Sequence, residues 1–425
     1  MTIEWQISML GNGMRVVTTP VATAQSVSVN VFVGAGSRDE DRRTNGVSHY
    51  LEHMLFKGTP KRPDAIQIAE AIEGAGGVLN AYTSKELTCY WNQVPFDKLA
   101  LAMDVLADMH ANALLDAGEI DRERTVVQQE IRRAFDQPGQ WASELLSRAT
   151  FGDQPVGWPI AGSLETVGEL AREDLAGYVA AHYGPSNTVL SVAGATTHDD
   201  VMRLAEDLFA PLPDRPAPPT PPAEAEFDAE RVVVERREIA QCNIGIALHG
   251  IARMDPDRHA LGVLNTILGR GMSSRLFKEV RERRGLAYQI GSGVARYRDV
   301  GVMSISAGVT LDHLEEATQV IRDELFKLVE QPVTDDEITK ARDFSIGNFR
   351  LGLESTMALA QRAGESLLMT DEIEPIEEAV AATAGVTADD VQRVARRLFR
   401  PGAFAMAVVG PGGDAGTLRA ILDAA

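Results

Sequence analysis

The chain has 425 residues, of which 44% are hydrophobic and 24% charged, and its formal net charge is −20. That length exceeds one typical domain and the composition lacks the polar bias of disordered chains, so two or more folded domains are expected. The negative charge disfavours nucleic acid and anionic membranes as partners. It would attract basic peptides, although an acidic surface that aids solubility is the commoner explanation.

The terminus and the cysteines exclude further classes of protein. Every apolar run ends well short of the roughly 20 residues that a membrane helix requires, so no span is expected. Residues 1–5 lack the layout of a secretory or transit signal, which predicts a cytoplasmic protein. Cys89 and Cys242 are too few for a disulfide framework and lack the paired spacing of a zinc knuckle. Any metal must therefore use other ligands.

The first half of the chain alternates between strand and helix patterns. Residues 27–33 alternate polar and apolar side chains as a strand does, and Gly58 and Pro60 end the helix that follows. The predicted elements are strands 15–19 and 27–33, helices 47–56 and 65–75, a hairpin of 78–84 and 87–94, and helices 96–113 and 117–136.

The two halves of the chain look like one unit used twice. Asp174 corresponds to Asp390 and Pro185 to Pro401, at a constant offset of 390 − 174 = 216 residues. Around these residues each half contains an amphipathic helix, a proline turn, an apolar strand and a further helix, in the same order. One half is interpreted as an internal copy of the other.

A proline-rich segment divides the halves. Residues 211–222 contain repeated prolines and lead into an acidic run that ends at residue 230. Such a segment favours an extended, semi-rigid spacer. The predicted organisation is a first domain at 1–210, a linker at 211–230 and a second domain at 231–425. Each domain is predicted to be α+β, with helices packed on a mainly antiparallel sheet.

The motif His49-x-x-Glu52-His53 falls on the predicted helix 47–56. Residues three and four apart share one helix face, so both imidazoles can bind one zinc ion while Glu52 reaches a water that the metal activates. The glutamate can then take the proton as the water attacks a peptide carbonyl. This order reverses the His-Glu-x-x-His of other zinc peptidases.

A catalytic zinc ion normally has three protein ligands and an open position, so a third ligand is needed. The predicted helix 117–136 carries Glu123 and Glu130, two turns apart on one face. One of these carboxylates could bind the metal while the other orients a ligand. Their spacing alone does not assign the two roles.

The pattern of His49, Glu52 and His53, followed by Glu130 after 76 intervening residues, resembles the pitrilysin-type zinc peptidases. Within that family the chain is most similar to the β subunit of mitochondrial processing peptidase and its bacterial relatives, essentially from end to end. The resemblance implies that His49, His53 and Glu130 bind zinc, that Glu52 is the general base, and that Glu123 supports a ligand.

The second half lacks the metal motif. At the offset of 216 residues, His49, Glu52 and His53 correspond to Asn265, Leu268 and Gly269, none of which carries an imidazole or a carboxylate. The flanking Gly46-Val47 reappears as Gly262-Val263. One Zn²⁺ per chain is therefore predicted.

Two further features are assigned by the same resemblance. The hairpin strand containing Asn80 and Ala81 alternates like an edge strand, which can capture an extended peptide through main-chain hydrogen bonds. The resemblance implies that Asn80 and Ala81 hold the substrate beside the zinc ion. It also implies that Arg281 and Tyr288 contact substrate carbonyls near the scissile bond, where both are suitable donors to a developing oxyanion.

The sequence is therefore predicted to encode a zinc endopeptidase for short or unfolded peptides, basic ones included. By resemblance the chains pair into a clam-like homodimer, in which Arg281 and Tyr288 of one chain serve the zinc site of the other. The alternative is a catalytically silent structural subunit of the same fold, because some members of the family have that role. Such subunits usually lose part of the metal motif, which this chain retains.

Overall fold

The computed structural model describes residues 3–224 and 230–424, so residues 225–229 of the predicted linker lie outside the described residues. The predicted α+β class is confirmed, because helices accompany two mainly antiparallel sheets. The predicted strands and helices of the first half are present, with ends that differ by a few residues at most. The predicted helix 96–113 begins as a 3₁₀ turn at Phe96–Lys98.

The elements are numbered in chain order. The strands are β1 Gln6–Met9, β2 Arg15–Pro20, β3 Ser26–Val33, β4 Val78–Thr83, β5 Thr88–Pro95, β6 Thr188–Gly194, β7 Val232–Arg236, β8 Cys242–His249, β9 Ala287–Arg296, β10 Gly301–Val309 and β11 Phe404–Gly410. The helices are α1 Val47–Leu55, α2 Ala65–Glu73, α3 Leu99–Asn112, α4 Ala117–Asp136, α5 Pro138–Phe151, α6 Leu164–Glu169, α7 Arg172–His182, α8 His198–Leu208, α9 Arg258–Gly269, α10 Leu314–Glu330, α11 Asp335–Leu351, α12 Thr356–Thr370, α13 Ile376–Ala384, α14 Ala388–Leu398 and α15 Ala415–Asp423.

The chain forms two compact units, each assembled from three segments. The first unit comprises Met1–Ile131, Pro159–Pro221 and Leu351–Glu374, and the second comprises Arg132–Trp158, Pro222–Arg350 and Pro375–Ala425. Each unit thus includes one segment from the opposite half of the sequence. This segment contains α12 in the first unit and α5 in the second. The domain limits 1–210 and 231–425 describe the sequence and stay predictions.

The first unit has a six-stranded sheet in the order β1-β2-β6-β3-β5-β4. Among its described strands only β2 and β6 pair in parallel, and β4 lies at one edge. Alternation along β3 directs Val29 and Val31 into the core beneath α1 and α3, because successive strand residues face opposite sides. Phe32 faces the other side, where Ala363 of α12 covers the sheet.

Helix α1 is fixed at its start by close backbone packing. Gly46 precedes it with a φ of 101°, and a Cβ atom there would lie 2.8 Å from the carbonyl oxygen of Ala161. The buried carboxylate of Glu40 accepts hydrogen bonds from the backbone N–H groups of Gly46 and Ser48, at 2.8 and 2.9 Å. These contacts satisfy N–H groups that a helix start leaves unpaired.

The second unit repeats this plan with a five-stranded sheet in the order β7-β11-β8-β10-β9. Here β7 and β11 are the described strands that pair in parallel. Helix α9 packs its apolar side chains into the core on one face, and Leu146 of α5 contacts Ala247 on the other. A Cβ atom at Gly245 would lie 2.8 Å from the side chain of Leu146, so α5 packs closely on β8 at this point.

The helices can be compared with the prediction that no segment of the chain spans a membrane. Across residues 3–224 and 230–424, none is both long and apolar enough to cross a membrane.

Candidate metal centre

Helix α1 divides its residues between the core and a half-buried surface. Tyr50, Leu51 and Met54 are fully buried in the first unit, whereas His49, Glu52 and His53 are only partly exposed on the opposite side. This division follows from 3.6 residues per turn, which places residues three and four apart on one face. The predicted motif therefore shares one half-buried surface.

Helix α4 brings a carboxylate to the two histidines. Glu130 Oε2 lies 3.7 Å from His49 Nε2 and 3.5 Å from His53 Nε2. One ligand atom from each of these residues fits within a separation of 4.8 Å, and this is the one such group of three found among the described residues. The hydroxyl of Tyr50 donates to the backbone carbonyl of Ile120, which ties α1 to α4.

Glu123 contacts His53 at Nδ1, the ring nitrogen that does not face Glu130. Its Oε1 lies 2.8 Å from His53 Nδ1, and its Oε2 lies 2.5 Å from the Nζ atom of Lys57. A proton on Nδ1 would be donated to Glu123 and would leave His53 Nε2, which lies 3.5 Å from Glu130 Oε2, to bind a metal. The structure therefore separates the two carboxylates: Glu130 faces both histidines and Glu123 orients one of them.

The two histidines differ electrostatically. Burial, followed by the nearby charge of His53, lowers the pKa of His49 to about 4, so its imidazole is neutral near neutral pH. Burial alone would lower the pKa of His53 as well, but the hydrogen bond to Glu123 and the neighbouring carboxylates raise it. For Glu123, burial raises the pKa, and the bonds from His53 and Lys57 outweigh it and lower the pKa.

Glu52 lies beside this group and bonds to a different element. Its Oε2 accepts a hydrogen bond of 2.5 Å from the hydroxyl of Thr83, the last residue of β4. Burial raises the pKa of Glu52, and the Thr83 hydrogen bond partly opposes that shift.

Thr83 and Lys57 also contact the candidate site and were not predicted from the sequence as site residues. Thr83 stands in the Asn-Ala-x-Thr hairpin strand, and Lys57 follows His53 by four residues. Lys57 lies just beyond the end of α1, so helical spacing alone does not indicate its contact with Glu123. The contact of Thr83 with Glu52 depends on how β4 meets α1, which no local pattern contains.

Among the described residues of the second unit, the positions that correspond to His49, Glu52 and His53 do not form a comparable group of possible metal ligands. Asn265 Oδ1 accepts a hydrogen bond of 2.7 Å from the Ser292 hydroxyl. A Cβ atom at Gly269 would lie 2.3 Å from Ser292 Oγ and 2.7 Å from the Ser292 backbone nitrogen. Helix α9 therefore meets β9 where α1 presents its second histidine.

The other predicted site residues lie on two separate elements. Asn80 and Ala81 are on the edge strand β4, opposite Trp91 and Tyr90 of β5, and the Ala81 N–H donates to Asn80 Oδ1 at 2.8 Å. In the second unit, the guanidinium carbon of Arg281 lies 5.6 Å from the ring centre of Tyr288, which is 78% exposed. Arg281 belongs to a π-helical turn, Phe277–Arg283. The structure thus brings Arg281 and Tyr288 together.

Comparisons with known proteins cover nearly the whole chain. Residues 15–164 match the family model described as insulinase (peptidase family M16), and residues 169–344 match the peptidase M16 inactive domain. The chain is 39% identical to an uncharacterised zinc protease of Streptomyces coelicolor over 410 residues, which are 95% of this chain and 88% of that protein. It is 34% identical to one of Bacillus subtilis over 403 residues, 95% of this chain and 97% of that protein.

A solved structure has the same fold. The crystal structure of a protease from Helicobacter pylori superimposes with a TM-score of 0.90 at 23% sequence identity, covering 97% of this chain and 100% of that chain.

Proposed function

The chain belongs to peptidase family M16, and from this premise we propose that it is a zinc-dependent endopeptidase acting on short or unfolded peptides. The observation that carries the proposal is the grouping of His49, His53 and Glu130 within 4.8 Å, with Glu52 on the same helix face. The predicted pitrilysin-type resemblance holds at the level of the family. Its finer form, a resemblance to the β subunit of mitochondrial processing peptidase, stays a prediction.

The donor set suits a catalytic zinc ion. Two imidazoles and one carboxylate are a usual set of three protein ligands that leaves a fourth position open. Ligand atoms about 2.0–2.1 Å from a tetrahedral ion lie about 3.4 Å from each other. The separations of 3.5 and 3.7 Å from Glu130 Oε2 to the two histidines are close to that value. His49, His53 and Glu130 would therefore be the residues that hold one zinc ion per chain.

Each neighbouring side chain then has a defined task. When bound, zinc supplies Lewis acidity, which polarises a peptide carbonyl and lowers the pKa of water. Glu52 takes a proton from the attacking water at its carboxylate and delivers it to the leaving amine. Glu123 and Lys57 hold His53 in the orientation that keeps its Nε2 atom available.

Substrate binding would use the first unit of one chain and the second unit of its partner chain. A peptide would pair as an additional strand with the free edge of β4, at Asn80 and Ala81, because an edge strand has unpaired backbone groups. Arg281 and Tyr288 would donate to substrate carbonyls, and the net charge of −20 would favour basic peptides. A homodimer is part of the proposal on the strength of the family resemblance.

The test combines metal analysis with peptide cleavage. Purified protein should contain about one zinc ion per chain and should cleave a mixed peptide library, with products identified by mass spectrometry. Glu52→Gln should keep its zinc and lose at least about 100-fold in hydrolysis, since a general base contributes 10²–10⁴-fold.

A matched control separates this loss from a general effect of removing a carboxylate. Glu70→Gln makes the same change at an exposed position on α2 and should leave both zinc content and cleavage unchanged. The proposal is wrong if zinc supplementation gives no bound metal, or if Glu52→Gln remains as active as wild type. Zinc binding without any peptide cleavage by the wild type would favour the structural-subunit alternative.

A further inference from the structure

The carboxylate of Glu52 has one hydrogen-bond partner in the described part of the chain, the hydroxyl of Thr83. The hydroxyl donates to Glu52 Oε2 at 2.5 Å, and both side chains are partly buried. Hydrogen bonds to an ionised acceptor are shorter and roughly twice as strong as those between neutral groups. The contact joins α1 to β4 across 31 residues of sequence.

The direction of the Thr83 hydroxyl is fixed by the hairpin. Thr83 pairs with Thr88 of β5, and the next residue, Ser84, donates its N–H to the Leu87 carbonyl at 2.8 Å. The strand therefore ends in a closed turn directly after Thr83. A β-branched side chain also has few accessible χ1 rotamers. Both constraints hold the hydroxyl in place.

Glu52 depends on such a contact more than Thr83 does. A glutamate side chain has three rotatable bonds, so a carboxylate without a hydrogen-bond donor samples several positions. The Thr83 hydroxyl occupies Oε2 and leaves Oε1 to take a proton. The hydrogen bond therefore selects one position of the carboxylate and one of its two oxygens.

We propose that Thr83 is a positioning residue that holds the general base in its working position. The inference rests on the proposed function, in which Glu52 moves the proton and β4 pairs with the peptide. Asn80, Ala81 and Thr83 belong to the same strand. A bound peptide and the base that acts on it are thus held by one element, which keeps the distance between them constant.

The test is a pair of substitutions at Thr83 in the zinc-loaded, full-length protein. Thr83→Val keeps the β-branched shape and removes the hydroxyl, so kcat should fall by about 10- to 100-fold, the effect of misplacing a catalytic group by about 1 Å. KM and zinc content should stay near their wild-type values, because β4 and the metal ligands are unchanged. Thr83→Ser restores the hydroxyl and should recover most of kcat.

The chain offers a matched control in the same hairpin. Thr88→Val makes the same change at the residue paired with Thr83, where the lost hydrogen bond is to the Ala35 carbonyl at 2.9 Å and not to Glu52. The kcat of this variant is measured at a temperature at which the protein stays folded. It shows how much of any loss of activity comes from a weakened hairpin alone. The inference is overturned if Thr83→Val and Thr88→Val lose the same activity, or if Thr83→Ser fails to recover.

A second readout is independent of turnover. Crystal structures of wild type and Thr83→Val should show the Glu52 carboxylate ordered beside Thr83 in the first and displaced in the second. An unmoved carboxylate in Thr83→Val would overturn the inference. If the wild type binds zinc and cleaves no peptide, the proposed function fails, and these structures still decide whether Thr83 positions Glu52.

Discussion

Helices α1 and α9 occupy the same place in the order of their units, yet one presents the candidate metal ligands and the other closes on its sheet. Both carry a Gly-Val pair near the start, Gly46-Val47 and Gly262-Val263. Helix α1 then exposes His49, Glu52 and His53, whereas α9 has Asn265, Leu268 and Gly269. The repeated order of elements therefore places the candidate metal ligands on only one of these two helices.

The difference extends beyond missing ligands. Asn265 bonds to the Ser292 hydroxyl at 2.7 Å, and Gly269 leaves no space for a Cβ atom beside the Ser292 backbone. At Gly269 the second unit therefore places the backbone of β9 directly against α9. A histidine at position 269 would therefore require β9 to move, because its Cβ atom would lie 2.7 Å from the Ser292 backbone nitrogen.

The largest expected effect separates the two helices by metal binding. His53→Ala should weaken zinc binding by more than about 100-fold, since even the loss of a group that only orients a ligand costs 10- to 100-fold. Asn265→Ala, at a position of α9 that lacks any ligand, should not change zinc binding. Competition with a chromophoric chelator measures both. Equal zinc affinity in the two variants would contradict the assignment of α1 as the metal helix.

Much of this comparison was predictable from the sequence. The motif on α1, the two carboxylates of α4 and the lack of ligands on α9 follow from residue spacing and the repeat, because helical periodicity alone determines which side chains share a face. The α+β class was predictable for the same reason, since strand and helix patterns differ in period.

Other features depend on contacts distant in sequence. Glu130 faces the two histidines, whereas Glu123 contacts His53 and Lys57. Which of the two carboxylates has which contact depends on how α4 crosses α1. The Thr83 contact depends on where the edge strand ends. The inclusion of α12 in the first unit and α5 in the second has no local signature, because an amphipathic helix does not identify the sheet that it covers.

The next prediction tests whether the two units have different roles in the active site. The proposed zinc ligands lie in the first unit, and the predicted carbonyl donors Arg281 and Tyr288 lie in the second. If each active site combines two chains, mixing Glu52→Gln with Tyr288→Phe should restore activity, because one site of each mixed dimer carries neither change. With random exchange, about one quarter of all sites would be intact.

The measurement is peptide hydrolysis after subunit exchange, with each variant first shown to be nearly inactive by itself. Mixed dimers must be detected directly, for example by native mass spectrometry of differently tagged chains. Activity that stays at the level of the separate variants, with mixed dimers present, would show that both changes affect sites within one chain.

A smaller effect tests the close packing of α9. Gly269→Ala should lower the free energy of unfolding by about 3 kcal/mol or more, because the new Cβ atom meets the backbone of β9, which cannot rotate away as a side chain can. Gly262→Ala lies on the same helix with no described atom within 4 Å of the added Cβ. It should be neutral or stabilising by about 0.5–1 kcal/mol. Urea unfolding of both variants checks the pair, and similar stabilities would contradict the packing argument.

The starts of the two helices also differ, in the partners of a buried carboxylate. Before α1, Glu40 accepts hydrogen bonds from backbone and side-chain groups of Asn45, Gly46 and Ser48, all of them uncharged. Before α9, Asp257 forms ion pairs with Arg393 and Arg397. Burial raises the pKa of Glu40 to about 7, and its hydrogen bonds only partly oppose the shift.

This contrast predicts the smallest effect, a pH dependence of stability that belongs to Glu40. Its pKa is about 7 in the folded protein, against 4.5 for an unperturbed glutamate, so the folded protein retains the proton as pH rises through this window while the unfolded chain releases it. The stabilising contribution is therefore complete below pH 4.5 and is lost as pH rises through 7. The expected loss is about 1–3 kcal/mol.

Glu40→Gln cannot titrate, so the stability of the wild type relative to this variant should decrease from about pH 5 to about pH 8. Urea unfolding of zinc-free protein, followed by tryptophan fluorescence, avoids the protons released on metal binding, and parallel pH curves for the two proteins would show that Glu40 is ionised throughout.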